Sequence, residues 1–281
     1  MLALYFAKVL CRVCPKTSLQ YLGILLGDII YFFAFRRKAI TRFNLELVLG
    51  KDKRKLSRKI LRHLGISIIE FLSLPYLKPE KLKKFCLIKG KENLEQALKL
   101  NKGVIVLTAH FGNWELVAAR LVLDGFNVIA LARPQGEFDK YIEQIRTRLG
   151  YKTISVDGGI LPLLSYLKEG AVIALLSDQR PLFGGVVVPY FGIPASTPPG
   201  AAILSLRSGA PIVPIYDVRF GNFHIINIQP SLQIIRTGSF KKCVIKNSEL
   251  FNSVIEEWVR QYPEQWLWSH NRWKQISYRE K

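Results

Sequence analysis

Residues 102–115 read KGVIVLTAHFGNWE, an apolar run that ends in a polar turn and the start of a helix. The apolar run 104–109 has the length and composition of a buried strand, and Asn113 is a good cap for a helix starting at Trp114. Strand, short turn and helix in direct succession is the repeating unit of a parallel α/β sheet. His110 falls on the turn, beside Gly112, which can adopt backbone conformations closed to other residues. On a continuous helix, His110 and Glu115 would be turned about 140° apart and would not meet. With His110 outside the helix and Glu115 in its first turn, the chain can bring imidazole and carboxylate together. A histidine is the usual general base for a hydroxyl near neutral pH, and a carboxylate can fix its tautomer and orientation. Glu115 also lies where the helix dipole favours a negative charge.

Outward from this unit the alternation continues. Strand-like runs at 127–131, 153–156 and 171–176 are separated by helical stretches at about 114–124, 137–149 and 160–168. A further helix is expected at 201–207, strands at 212–216 and 224–228, and an amphipathic helix at 247–261. Residues 39–100 read as helical, with helical spacing over 57–74 ended by Pro75. The expected fold is therefore α/β, a mostly parallel central sheet with flanking helices. Three regions are expected: 1–38 as an N-terminal hydrophobic anchor, 39–100 as a helical segment packed on the core, and 101–281 as one α/β unit. In such sheets, ligands gather at the carboxyl ends of the strands. His110 follows the first core strand and Asp178 the fourth, so both fall on that edge.

The hexapeptide HFGNWE resembles the H-x4-D/E block of the glycerolipid acyltransferases, and specifically of the bacterial lipid A biosynthesis (lauroyl/myristoyl) acyltransferase family. Further blocks resemble that family in the same order: RFNL at 42–45, Asp178 with Gln179, YFG at 190–192, TPPG at 197–200, GAPIVP at 209–214 and PEQWLWSHNRWK at 263–274. Ala109 departs from the commoner pattern, in which Asn or Gly often precedes the histidine.

The resemblance implies an O-acyltransferase with a glycerolipid-acyltransferase-like fold. It would move a fatty acyl chain from an acyl carrier protein thioester to a hydroxyl of a lipid A precursor, with no acyl-enzyme. His110 would take the hydroxyl proton, Glu115 would hold the imidazole, and Arg146 resembles the arginine of the family's second block. The absence of a G-x-S-x-G elbow agrees with a mechanism lacking a serine nucleophile. Arg148 is the alternative to Arg146, and Arg133, which also follows a strand, could meet a phosphate. Asn113, Asp178 and Gln179 are candidate contacts to the substrate, although a carboxylate after a strand is also an ordinary turn cap. Backbone N–H groups at the start of the Trp114 helix are candidate donors to an oxyanion. An acyl-CoA-dependent transferase for another glycolipid, such as a phosphatidylinositol mannoside, is the alternative within the same chemistry. A non-catalytic basic protein of a membrane surface or nucleic acid is the alternative outside it.

The charge agrees with an anionic partner. Lys and Arg total 41 against 21 Asp and Glu, a formal net charge of +20. Residues 1–62 alone carry fourteen basic residues and three acidic ones, surrounding LQYLGILLGDIIYFFAF at 19–35. That apolar segment is at the lower length limit for a membrane span. Cations on both sides favour a hairpin or an interfacial anchor, a buried core helix is the alternative for a run of this length, and no cleavage site follows, which argues against a signal peptide. An anionic membrane and an acidic carrier protein explain both charge and apolarity, whereas no nucleic-acid motif accompanies the charge. The expected setting is the bacterial inner membrane, with the catalytic part on the cytoplasmic face. The cysteines at 11, 14, 86 and 243 lack disulfide or zinc spacing, and neither metal nor cofactor is expected. Trp266, Trp268 and Trp273 read either as interfacial anchors or as core packing.

Overall fold

The computed structural model describes residues 16–50, 54–132, 138–155 and 159–274. Its centre is a seven-stranded sheet of β1 (Cys86–Lys89), β2 (Val104–Thr108), β3 (Val128–Ala132), β4 (Lys152–Ser155), β5 (Val172–Leu176), β8 (Ile212–Phe220) and β9 (Phe223–Ile228), in the order β1-β9-β8-β2-β5-β3-β4. All neighbours are parallel except β8 and β9. Two further strands, β6 (Val186–Tyr190) and β7 (Ile193–Thr197), form a separate antiparallel hairpin.

The continuous apolar run of β2 follows from its central position, because helices cover both faces of the sheet. Side chains alternate across a strand, so Ile105 and Leu107 join one core and Val104 and Val106 the other. The first core is closed by Phe251, Ile255 and Trp258 of α10 (Phe240–Gln261), the second by Leu116 and Ala119 of α6 (Trp114–Leu123). The other helices of the α/β core are α5 (Lys91–Leu98), α7 (Phe138–Arg148), α8 (Leu161–Lys168) and α9 (Gly200–Ser208).

The expected strands and helices are present, with three additions. The segment 39–100 is not purely helical: β1 adds an edge strand beside β9. The region after Asp178 contains the β6–β7 hairpin, where Val186–Tyr190 carries exposed and buried residues in turn. The last helix begins at Phe240, capped by Ser239, whose side chain accepts a hydrogen bond from the Lys242 amide.

The N-terminal elements are α1 (Lys16–Phe33), α2 (Phe35–Leu49), α3 (Arg54–Ser73) and α4 (Pro79–Phe85). Among the described residues no single helix is long and apolar enough to cross a membrane, and α1 and α2 meet at 91°. The segment expected as an anchor is α1, which packs along α3 by one face. Close approach requires glycine here: a Cβ on Gly27 would lie 2.2 Å from the Arg62 Cα. Asp28 accepts hydrogen bonds from both Arg58 and Arg62, at 2.7 to 3.0 Å. These two guanidinium groups hold its carboxyl far below the usual carboxylate range.

Candidate active site

Parallel register brings His110 to Asp178. Thr108 ends β2 opposite Leu176 at the end of β5, and each strand is followed two residues later by a functional side chain. The His110 Nδ1 lies 2.9 Å from Asp178 Oδ1. Asp178 is buried, and its other oxygen accepts a 2.8 Å hydrogen bond from the Trp266 indole. Burial alone would raise the Asp178 carboxyl, but the neighbouring His110 and the Trp266 donor outweigh it and hold the carboxyl below its ordinary value. An ionised Asp178 therefore favours the tautomer with the proton on Nδ1, leaving Nε2 as the basic nitrogen. The His110 side chain remains 18% exposed, and Nε2 has no hydrogen-bond partner among the described residues. The ring packs edge-on against Trp114 and lines a narrow cleft with His63, Leu64 and Leu267. Burial lowers the His63 imidazole well below its ordinary value, so a second, neutral ring faces the same cleft, its Nε2 without a partner.

Glu115 is occupied elsewhere, which corrects its expected contact with the imidazole. Its carboxylate receives Arg146 Nε at 3.1 Å and Nη2 at 2.5 Å, and the Tyr151 hydroxyl at 2.5 Å. The reason is directional: Glu115 belongs to α6, which turns toward α7 and the chain entering β4, while the strand register turns His110 toward β5. This bidentate pair raises the Arg146 guanidinium further against the lowering effect of burial. Burial together with the Glu115 charge raises the Tyr151 phenol. Arg148 is exposed and lines a groove with Lys140, Arg146, Thr153 and Ser155. Arg133 lies outside the described residues, and Gln179 is partly buried beside Asp178.

Asn113 is not available to a substrate. It caps α6 by accepting the Leu116 amide at 3.2 Å, its own amide donates to Asp217 Oδ2 at 2.9 Å, and its Nδ2 donates to Glu70 Oε2 at 3.0 Å. These carboxylates belong to a buried ionic cluster that sequence reading did not anticipate. His224 joins them, with Nδ1 2.7 Å from Asp217 Oδ2 and Nε2 3.1 Å from Glu70 Oε1. Arg219 donates to both oxygens of Glu70 and to Ser67, whose hydroxyl donates to the Gly112 carbonyl. Burial opposes a charge on His224, but the two carboxylates prevail and raise it to about 9. Burial likewise opposes the Glu70 charge, and Arg219 and His224 prevail to hold its carboxyl far below the ordinary range. The turn carrying His110 is thus fastened from behind. Gly112 has φ 60° and its missing Cβ would lie 2.1 Å from the Asp217 carbonyl oxygen, so both conformation and space demand glycine.

The C-terminal segment closes the turn from the other side. Gly112 donates to the Gln265 carbonyl at 2.8 Å, and the Leu267 amide donates to the His110 carbonyl at 3.0 Å. Trp266, Trp268 and Trp273 are buried, so these rings are core packing. Arg272 is buried too, 2.7 Å from the Thr197 hydroxyl and 4.8 Å over the Tyr190 ring.

Together these features define an α/β enzyme with a histidine braced at the joined carboxyl ends of two parallel strands. The model of the bacterial lipid A biosynthesis acyltransferase family matches residues 2–275, and the chain belongs to that family. It is 26% identical over 271 residues to a lipid A biosynthesis palmitoleoyltransferase of Escherichia coli, covering 92% of this chain and 86% of that protein. A lipid A biosynthesis lauroyltransferase of the same species is 24% identical with the same coverage. A phosphatidylinositol mannoside acyltransferase of Mycobacterium tuberculosis is 28% identical over 156 residues, covering 52% of this chain and 49% of that protein. The chain is an acyltransferase of lipid A biosynthesis type.

Proposed function

We propose that this enzyme transfers a fatty acyl chain from acyl carrier protein to a hydroxyl of a lipid A precursor at the membrane surface, with His110 as general base. The observation that carries the proposal is the His110 Nδ1 contact to the buried Asp178 carboxylate, with Nε2 left without a protein partner in the cleft. In the first step the acceptor hydroxyl gives its proton to Nε2 while its oxygen bonds to the thioester carbon. The carbonyl electrons move onto oxygen, where the positive end of α6 opposes the developing charge. As the carbonyl re-forms, the C–S bond breaks and the imidazolium returns its proton to the leaving thiolate. Asp178 stabilises the imidazolium in between. Glu115 and Arg146 act as a buried, neutral pair bracing the wall of the groove, and Lys140 and Arg148 supply the positive charge facing an acidic donor or headgroup. Asp178 is thus read as the partner of the base rather than as a substrate ligand.

The test is mass spectrometry of lipid products formed by wild type, His110→Ala and Asp178→Asn from acyl carrier protein thioesters and a lipid A precursor. Wild type is expected to add one acyl mass, and both variants to lose at least a thousandfold in rate. Full rate in His110→Ala would sink the base assignment. Turnover only with a phosphatidylinositol mannoside as acceptor would move the enzyme to the chemistry named for its Mycobacterium tuberculosis relative.

A further inference from the structure

Among the described residues, one face of α1 is buried and the opposite face is exposed. Leu19, Gly23 and Gly27, spaced four apart, lie against α3, where a Cβ on Gly23 would come within 2.4 Å of the Ile66 Cα. Tyr21, Leu25, Ile29 and Phe33, also four apart, point outward, with Tyr21 73% and Phe33 74% exposed. Such a row costs solubility unless something apolar covers it.

What covers it is constrained by α3. The first turns of that helix carry Arg54, Lys55, Arg58, Lys59 and Arg62, of which Arg54, Lys55 and Lys59 are exposed. A charge placed in hydrocarbon loses its hydration with nothing to replace it, so α3 stays outside the bilayer core. Because α1 is joined to α3 by glycine-to-backbone contact and by the Asp28 bridges, it cannot pass through the bilayer without drawing α3 in. It can, however, present its bare face to a membrane.

A second element shares that position. The turn between β8 and β9 exposes Phe220 and Phe223, the latter by 57%, and is tied to α1 where the Gln20 side chain donates to the Gly221 carbonyl at 2.8 Å. This turn lies at the carboxyl end of β8, which runs parallel to β2, so it stands on the sheet edge that carries His110. Cations complete the face: Arg36 and Arg37 are exposed at the start of α2, Arg58 lies over the Phe32 ring and Lys38 over the Phe35 ring. Aromatic rings backed by cations suit the boundary between acyl chains and anionic headgroups.

We propose that the enzyme sits on one leaflet of an anionic bilayer, with α1 lying in the membrane plane and the β8–β9 turn as a second point of insertion. Ile60, His63, Leu64 and Ser67 on another side of α3 line the His110 cleft, so about one helix diameter separates the seat from the base. The inference rests on the proposed membrane-borne acceptor, but it is tested without turnover, so the two readings fail separately.

Two measurements on the full-length protein decide it. In membrane vesicles of defined orientation, Thr17→Cys and Arg36→Cys, at exposed positions near the two ends of the row, are introduced with Cys11 and Cys14 changed to Ser. They are then probed with a membrane-impermeant maleimide. Labelling of both from the same side is expected, and labelling from opposite sides would establish a span and overturn the proposal. In flotation with phosphatidylethanolamine–phosphatidylglycerol vesicles, Phe220→Ser/Phe223→Ser and Leu25→Ser/Ile29→Ser are each expected to lower partitioning five- to tenfold. Leu100→Ser, an exposed apolar residue just before β2 on the opposite sheet edge, is the control and should change nothing. Unchanged binding of the Phe220→Ser/Phe223→Ser protein removes the second insertion point. Conversion of a dimer to a monomer by these changes, with vesicle binding intact, would make the face a self-association surface instead.

Discussion

Two histidine–aspartate pairs stand at the same edge of the sheet and share one contact, imidazole Nδ1 to a carboxylate oxygen, at 2.9 Å for His110 and Asp178 and 2.7 Å for His224 and Asp217. Their surroundings give them opposite chemistry. The second nitrogen of His224 meets Glu70, so the ring is clamped between two carboxylates, fully buried, and raised to about 9. It is an imidazolium that holds its proton and cannot serve as a base near neutral pH. His110 has one carboxylate, a partly open ring and an unclaimed nitrogen in a cleft. A histidine next to an aspartate is therefore not by itself a catalytic pair; the occupant of the far nitrogen decides.

The two pairs should differ most in their response to loss of the aspartate charge. Asp178→Asn should lower kcat by about a thousandfold, on the order of 4 kcal/mol, with the melting temperature little changed, because it removes the charge that stabilises the imidazolium. Steady-state kinetics beside a thermal melt checks this. A matched change in Asp217→Asn should do the reverse, lowering stability first and activity only through the distorted turn.

His224→Gln comes next in size, and its effect is read in stability. The folded-state value of about 9 lies above the unfolded value near 6.5, so the contribution of His224 is complete below about pH 6.5 and is lost as pH rises through 9. Denaturant titrations should show wild type losing roughly 3 kcal/mol over that window and the variant a flatter profile. A wild-type curve flat from pH 6.5 to 9.5 would mean that the ring is neutral and the clamp misread.

Asn113→Ala should cost about 2 kcal/mol, since it deletes a helix cap and the hydrogen bond to Glu70. Because the backbone amide still reaches Asp217, a slower but working enzyme is expected in the same melt and rate assays. The smallest effect belongs to Trp266→Phe. It keeps the ring packing and removes one donor to Asp178, about 1 kcal/mol, so kcat should fall several-fold with KM unchanged.

Much of this was legible along the chain. The strand–turn–helix signal of 104–115, the need for glycine at 112 and the cap at 113 are local properties, and each stands in the structure as the residue types require. Strand β1 escaped notice because its four residues end in lysine and follow a helix with no turn signal. The β6–β7 hairpin escaped because its connection at Phe191 and Gly192 carries no strong turn pair, and Pro189 and Pro194 sit within the strands themselves. The site was legible in its members rather than its pairings. His110, Glu115 and Asp178 stood out by type and position, and Arg146 only through the family resemblance, yet the five-residue spacing pointed to Glu115 as the partner of His110, whereas the structure pairs Glu115 with Arg146 and His110 with Asp178. Glu70 lies alone in an apolar helix, and Asp217, Arg219 and His224 alternate with apolar residues over YDVRFGNFH at 216–224, a pattern that also suits an ordinary hairpin with one face in solvent, so none signalled a buried cluster.

The order of elements, the turn that carries His110, the family and the basic, apolar character of the first 62 residues can all be read along the chain, because they depend on neighbours a few positions apart. Which carboxylate meets which histidine, and that α1 lies along α3, emerge once the chain is folded. Those outcomes depend on sheet register and on backbone contact between helices. Both are set by packing between segments far apart in the chain, where spacing along the sequence carries no information about distance.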